Sequence, residues 1–176
     1  MKTSSEIVQI CFIVDDLDAA IDNWIETRNA GPFFVAKDLS GVPIDYKGTD
    51  STLAISVAMG MAGDLQIELV EPIGNGPSVY SDMFAPGQTG FHHVATFVSD
   101  FEQAVRDHVS NGFEMNARGT FAGDKFAYMD TRSSVGFFTE LYEEGPGLRG
   151  MYRKIAEAAR DWDGHIRTFP LEDALT

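Results

Sequence analysis

The stretch Gln9-Ile-Cys-Phe-Ile-Val-Asp-Asp16-Leu17 has a second copy in mid-chain, His93-Val-Ala-Thr-Phe-Val-Ser-Asp100-Phe101. A later stretch repeats too: Leu65-Gln-Ile-Glu68-Leu-Val-Glu71 and Phe137-Phe-Thr-Glu140-Leu-Tyr-Glu143. In each copy a polar residue able to bind a metal opens an apolar strand, and a glutamate lies inside a later strand. Asp16 and Asp100 stand equally far beyond Gln9 and His93. A repeat of this kind marks one supersecondary unit used twice, and it decides the architecture before any other argument.

Outward from Gln9, residues Ile7 to Val14 alternate as a strand, with Gln9, Cys11 and Ile13 on one face. Asp15-Asp16 supplies a helix N-cap, followed by Leu17, Ala20, Ile21, Trp24 and Ile25 at helical spacing. Asn29-Ala-Gly31-Pro32 ends that helix. Strands are predicted for Phe33 to Lys37, around Leu53 to Met59, and for Leu65 to Val70. The second copy repeats the order. A strand runs from His93 to Val98, and a helix capped by Asp100 ends at Asn111-Gly112. Strands follow near Phe113 to Arg118, Lys125 to Asp130 and Val135 to Tyr142. The fold class is therefore α+β: two paired β-α-β-β-β modules forming a curved mixed sheet, with a C-terminal helix from Leu148 to Trp162. That helix carries an apolar stripe of Leu148, Met151, Tyr152 and Ile155, which reads as packing against the body or a twin subunit.

The chain has 176 residues, 44% of them hydrophobic, enough for one real core but marginal for each half alone. One domain is expected over 1–176. Its first module covers about 5–72, a linker with a short helical piece about 73–90, the second module about 91–144, and a helical extension about 146–176. A net charge of −14 argues against nucleic acid or an anionic membrane as partner. No apolar run approaches the roughly 20 residues of a membrane span, and the N-terminus lacks a signal-peptide pattern. A cytoplasmic protein is expected. The single cysteine, Cys11, excludes an internal disulfide and reads as a small core residue.

Strand alternation puts Gln66, Glu68 and Val70 on one face, Phe138, Glu140 and Tyr142 on one face, and His93 with Ala95 and Phe97. If these faces line one concavity, two carboxylates, a histidine and Gln9 converge. Buried carboxylates without a cation nearby demand protonation or a bound cation. Mixed oxygen and imidazole donors suit Zn, Ni, Co or Mn. Gln66 competes with Glu68 as the second ligand. His92 falls on the opposite face by alternation, and His108 and His165 read as surface residues. Phe12, Phe97, Phe126 and Phe138 supply wall or core, and 13 phenylalanines hint at a bulky apolar ligand.

With these residues in place, the chain resembles the vicinal oxygen chelate superfamily, which includes glyoxalase I, methylmalonyl-CoA epimerase, extradiol dioxygenases and bleomycin-resistance proteins. The resemblance reaches to about Glu144. It implies a cup around a divalent metal held by Gln9, Glu68, His93 and Glu140, a small-molecule substrate, and a homodimer. Gln9 stands where the dioxygenases carry a histidine, which argues against their chemistry. Ile13 and Pro72 stand where glutathione-type glyoxalases tend to place arginine and asparagine, so that grip is missing. Glu68-Leu-Val-Glu-Pro72-Ile-Gly74, with Ser78, Phe84, Gly90 and His92-His93, is most similar to methylmalonyl-CoA epimerases, although Gln9 and Glu68 differ from their usual ligands.

The chemistry implied is proton removal next to a carbonyl, by an epimerase, isomerase or lyase. Glu140 would be the base, and Glu68 would return the proton or hold the metal. Tyr128, Tyr142 and Gln66 are weaker substrate contacts. The alternatives are a non-catalytic binder of the bleomycin-resistance type and a glyoxalase-like lyase that does not use glutathione.

Overall fold

A computed structural model describes residues 6–175. The first repeat folds as β1 (Ile7–Ile13), α1 (Leu17–Arg28), β2 (Phe33–Tyr46), β3 (Thr49–Ala62) and β4 (Leu65–Pro72). The second folds as β5 (Gly90–Val98), α2 (Phe101–Ser110), β6 (Met115–Phe121), β7 (Asp124–Met129), a one-turn α3 (Arg132–Val135) and β8 (Phe138–Glu143). Helix α4 (Pro146–Arg160), a short β9 (Thr168–Pro170) and a 3-10 turn (Leu171–Ala174) follow. The repeated aspartates do the same work in each copy. Asp16 Oδ1 accepts from the Ala19 amide at 2.9 Å, and Asp100 Oδ1 from the Gln103 amide at 3.0 Å.

The strands run in the order β3-β4-β1-β5-β8-β7-β6-β2, and β2 also pairs with β3. The sheet is thus closed on itself, with β9 alongside β2. β1 joins β4 in parallel and β5 antiparallel, and β5 joins β8 in parallel, so the two copies meet at the β1–β5 seam. Closure comes from a 14-residue β2 and a 14-residue β3, both far longer than the sequence pattern predicts. Much of their outer halves is exposed, and Gly41 and Pro43 interrupt the apolar alternation of Val42, Ile44 and Tyr46 in β2. Mutual pairing holds them, together with Ile44–Tyr46 against Ala117–Gly119 of β6. The linker's expected helical piece is a set of hydrogen-bonded turns, such as Asp82 N to Ser78 O at 3.0 Å.

Three apolar clusters result. One fills the inside of the closed sheet, and the others lie outside it, under α1 with Leu17 and Ile21 and under α2 with Phe101 and Val105. Leu148, Met151 and Ile155 of α4, with Leu171 and Ala174, join the inner cluster and cap it. The stripe packs against the body, as its spacing predicts, and each such side chain contributes about 1.5–3 kcal/mol. The entry into α4 is tightly specified. Asp124 Oδ2 accepts from the Leu148 amide at 2.7 Å, and a Cβ at Gly147 would lie 1.8 Å from the Ala122 carbonyl oxygen.

Gly147→Ala should therefore destabilise the fold by about 1–3 kcal/mol, as overpacking against rigid backbone does. Thermal unfolding followed by circular dichroism would measure it, and an unchanged melting temperature would contradict this docking of α4.

Candidate metal centre

The register across the four central strands defines two adjacent rungs. In one, Glu68, Cys11, His93 and Phe138 stand side by side on β4, β1, β5 and β8; in the other, Gln66, Gln9, Ala95 and Glu140 do. The repeat thus holds to the residue. Gln9 occupies the place of His93, Cys11 that of Ala95, and Glu68 that of Glu140. Cys11 and Ala95 are small and fully buried, which leaves room on the inner face for the larger polar groups around them.

All four ligands expected from the sequence converge here and are buried: Gln9, Glu68, His93 and Glu140. His93 Nε2 lies 2.9 Å from Glu140 Oε2 and 3.3 Å from Glu68 Oε2. Neither contact has hydrogen-bond geometry, so Glu68 Oε2, His93 Nε2 and Glu140 Oε2 all lack a hydrogen-bond partner. One ligand atom from each of these residues falls within 4.8 Å of the others. Gln9 is more occupied. Its Nε2 donates to Gln66 Oε1 at 2.8 Å, and its Oε1 accepts from the Tyr142 hydroxyl at 2.9 Å. Gln66 Nε2 is left without a partner. Tyr128 packs edge-on to the His93 ring.

His92 departs from the alternation reading. Cys11 pairs with His93 and Phe12 with Phe91, so β5 carries a bulge that leaves His92 as the extra residue. A bulge re-aims a side chain. The His92 ring is fully buried, with Nδ1 2.9 Å from His93 Nδ1 and Nε2 3.1 Å from the Val79 carbonyl. The two adjacent histidines were visible in the sequence, but the bulge was not. Tyr80, a buried aromatic of the linker, carries no repeat or spacing signal that would mark it. Its ring lies against His92 and Tyr128. His108 Nδ1 turns back to the Ala104 carbonyl at 2.8 Å, and His165 is exposed.

Burial alone would lower the pKa of His93, but the Glu140 and Glu68 carboxylates outweigh it and raise it to about 9. Burial lifts Glu140 above the usual carboxylate range against the pull of His93, and the Glu68 charge adds to the rise. His92 is pushed down to about 3 by burial, with His93 and Arg132 contributing. Burial also raises Tyr128 and Tyr142, which stay protonated at neutral pH.

Glu68 and Glu140 border a cavity of about 50 Å³, walled by groups such as Val57, Met59, Tyr128 and Tyr142 and flanked by Leu148, Met151 and Leu171. Of the 13 phenylalanines only Phe121 and Phe126 line it. Phe12 packs outside against Trp24 and Phe91, Phe138 lies stacked on His92, and Phe97 leans on Tyr142. A larger crevice of about 760 Å³ lies between the linker and the β2–β3 hairpin, and its charged lining residues are Asp15 and Glu71. The chemistry belongs to the smaller cavity, because the buried ionisable groups are there. Leu53 and Tyr80 line both spaces.

Residues 8–128 match the family described as the Glyoxalase/Bleomycin resistance protein/Dioxygenase superfamily. The chain belongs to this superfamily. An uncharacterised Bacillus subtilis protein, YqjC, is 27% identical over 119 residues, which is 66% of this chain and 83% of that protein. Among solved structures, a hypothetical protein from Bacillus halodurans superposes with a TM-score of 0.60 at 20% identity, covering 81% of this chain and 96% of its own. Methylmalonyl-CoA epimerase from Mycobacterium tuberculosis gives 0.55 at 19%, covering 85% and 96%. The Streptomyces coelicolor methylmalonyl-CoA epimerase bound to 2-nitronate-propionyl-CoA gives 0.57 at 19%, covering 80% and 98%. The superfamily fold is thereby shared, and its members are generally metal-dependent. No helix among the described residues is long and apolar enough to cross a membrane.

In metal-free protein the raised His93 pKa implies a defined pH trend. The folded value of about 9 exceeds the ordinary 6.5, so its stabilisation is fully present below pH 6.5 and disappears as pH rises through 9. The melting temperature of chelator-treated protein should therefore fall over that window, and His93→Gln should flatten the fall. A flat or rising wild-type profile would contradict the site's electrostatics.

Proposed function

We propose that this chain is a metal-dependent enzyme that removes a proton from carbon next to a carbonyl, acting as an epimerase, isomerase or lyase. The observation that carries this reading is the convergence of three buried, unbonded donor atoms from Glu68, His93 and Glu140. Among the described residues, no lysine or arginine lines the cavity beside the carboxylates. Two carboxylates and one neutral imidazole balance the charge of a divalent ion and offer the mixed donors that Zn, Ni, Co or Mn accept. The donor set fits such an ion. Gln9 is the fourth ligand in this reading, since its Oε1 keeps a second lone pair after accepting from Tyr142.

A bound ion would supply positive charge against which the substrate's oxygens can develop negative charge. The rest of the chemistry falls to the chain's own residues. Glu140 would take the α-proton through a carboxylate oxygen that the ion does not engage; in the metal-free site burial raises its pKa. Glu68, across the cluster on the other repeat, would either hold the ion or return a proton to the opposite face. Tyr128 and Tyr142 remain protonated donors, and Gln66 Nε2 is a donor with no partner. The apolar walls exclude water, which protects a carbanion-like centre from premature protonation. A small carbonyl fragment suits the inner cavity. The remainder of the substrate, apolar or CoA-linked, suits the outer crevice that shares Leu53 and Tyr80 with it. Solved epimerase complexes with 2-nitronate-propionyl-CoA and with methylmalonyl-CoA support an acyl substrate of this kind.

Elemental analysis of protein purified without chelator should find about one equivalent of a divalent metal, falling sharply in His93→Ala. Less than about a tenth of an equivalent after reconstitution would overturn the ligand set. In deuterated buffer, wild-type protein should exchange the α-proton of methylmalonyl-CoA or a related α-branched carbonyl compound. Glu140→Gln should slow that exchange by about 100-fold or more while the fold persists. Exchange surviving in the variant would place the base elsewhere.

A further inference from the structure

His92 is a buried titratable group that the proposed reaction does not use, and its ring is held at both ends. Nε2 faces the Val79 carbonyl at 3.1 Å, and Nδ1 faces His93 Nδ1 at 2.9 Å. A carbonyl oxygen only accepts, so the proton of a neutral His92 sits on Nε2. Nδ1 of His92 is then a bare lone pair. One proton must lie between the two Nδ1 atoms, and it comes from His93. The same arrangement is reached from the other end. A His93 ring whose Nε2 is to bind a metal must keep its proton on Nδ1, which requires an acceptor there. His92 is that acceptor.

The surroundings agree with a neutral ring. Tyr80, Phe84, Tyr128 and Phe138 pack around His92, and the Arg132 guanidinium lies over the Phe138 ring rather than on His92. No carboxylate is paired with it, and burial disfavours its charged form.

We propose that His92 is a positioning residue: by accepting the Nδ1 proton of His93 it makes Nε2, beside Glu68 and Glu140, the nitrogen that gives up its proton when a metal binds. The inference rests on the metal reading for its purpose, while the hydrogen bond stands whether or not metal is bound. Metal-binding histidines are commonly oriented by a carboxylate or a backbone carbonyl. Here the Val79 carbonyl does so one ring further away, through His92. The substitution has a physical reason. A carboxylate in that place would add a third negative charge to a buried cluster that already holds Glu68 and Glu140, whereas a neutral imidazole accepts the proton without adding charge. It also ties the linker to the metal centre, because the position of Val79 selects the His92 tautomer and thereby that of His93.

The test combines histidine 15N NMR with zinc competition against a chromophoric chelator, on the full chain. Zinc-loaded wild-type protein should show His92 protonated on Nε2 alone and His93 protonated on Nδ1. His92→Phe should weaken zinc binding by about 10- to 100-fold, the usual range for losing an orienting partner. His92→Gln, whose amide oxygen can accept the same proton, should recover most of the loss. A His92 ring protonated on Nδ1 would overturn the proposal, as would zinc affinity in His92→Phe within about twofold of wild type. Should His92→Phe fail to fold, the wild-type spectrum decides alone. Failure of wild-type protein to bind zinc or cobalt would instead sink the metal reading. In that case the tautomer of His92 in metal-free protein still decides for or against the hydrogen bond.

Discussion

The antiparallel pairing of β1 with β5 is the contact on which the remaining geometry depends. It joins the two copies of the repeat at a single seam and sets Cys11 opposite His93. The parallel neighbours then have no freedom of their own. β4 brings Glu68 beside Cys11, and β8 brings Glu140 beside Ala95. A slip of one residue at the seam would turn every one of these side chains to the other face. The bulge at His92 is therefore local. It admits one extra inward ring while His93 and Ala95 keep their places.

The second constraint is electrostatic. The protein buries two carboxylates side by side with only a histidine between them. Without a cation the cluster holds itself together by retaining protons, which is why the His93 and Glu140 pKa values both rise. A divalent ion would compete with these protons for the same lone pairs, so metal loading and deprotonation of the site would be one coupled event. Such an arrangement favours an occupant of charge two over one of charge one. The neutral groups next to the cluster, namely Gln9, Gln66, Tyr128, Tyr142 and His92, add hydrogen-bonding capacity without altering that balance.

Much of this was legible in the sequence, because the relevant signals were local. The matched aspartate caps, the Glu-Leu strands and the polar residue opening each copy all rest on strand alternation or helix capping, and both hold. Two things were not legible. In the outer halves of β2 and β3, Gly41, Pro43 and the polar run from Thr49 to Thr52 obscure the alternation of Val42, Ile44 and Tyr46, and the two strands are held by each other and by β6. Alternation puts His92 on the wrong face because it assumes an unbroken ladder, and a bulge depends on the partner strand. The abundance of phenylalanine likewise spoke of packing, since most of these rings lie away from the cavity.

The closing elements give the molecule an order of completion. Residues Phe33–Val35 of β2 find their outer neighbour only in Thr168–Pro170, and the cavity's cover comes from Leu148, Met151 and Leu171. During synthesis these segments emerge after all eight strands of the closed sheet. For that interval the nascent chain has both glutamates and both histidines in hand while the cup is uncovered and one strand margin is unpaired. The residues that cover the cavity are thus among the last to be synthesised, and the centre cannot be covered until they have emerged.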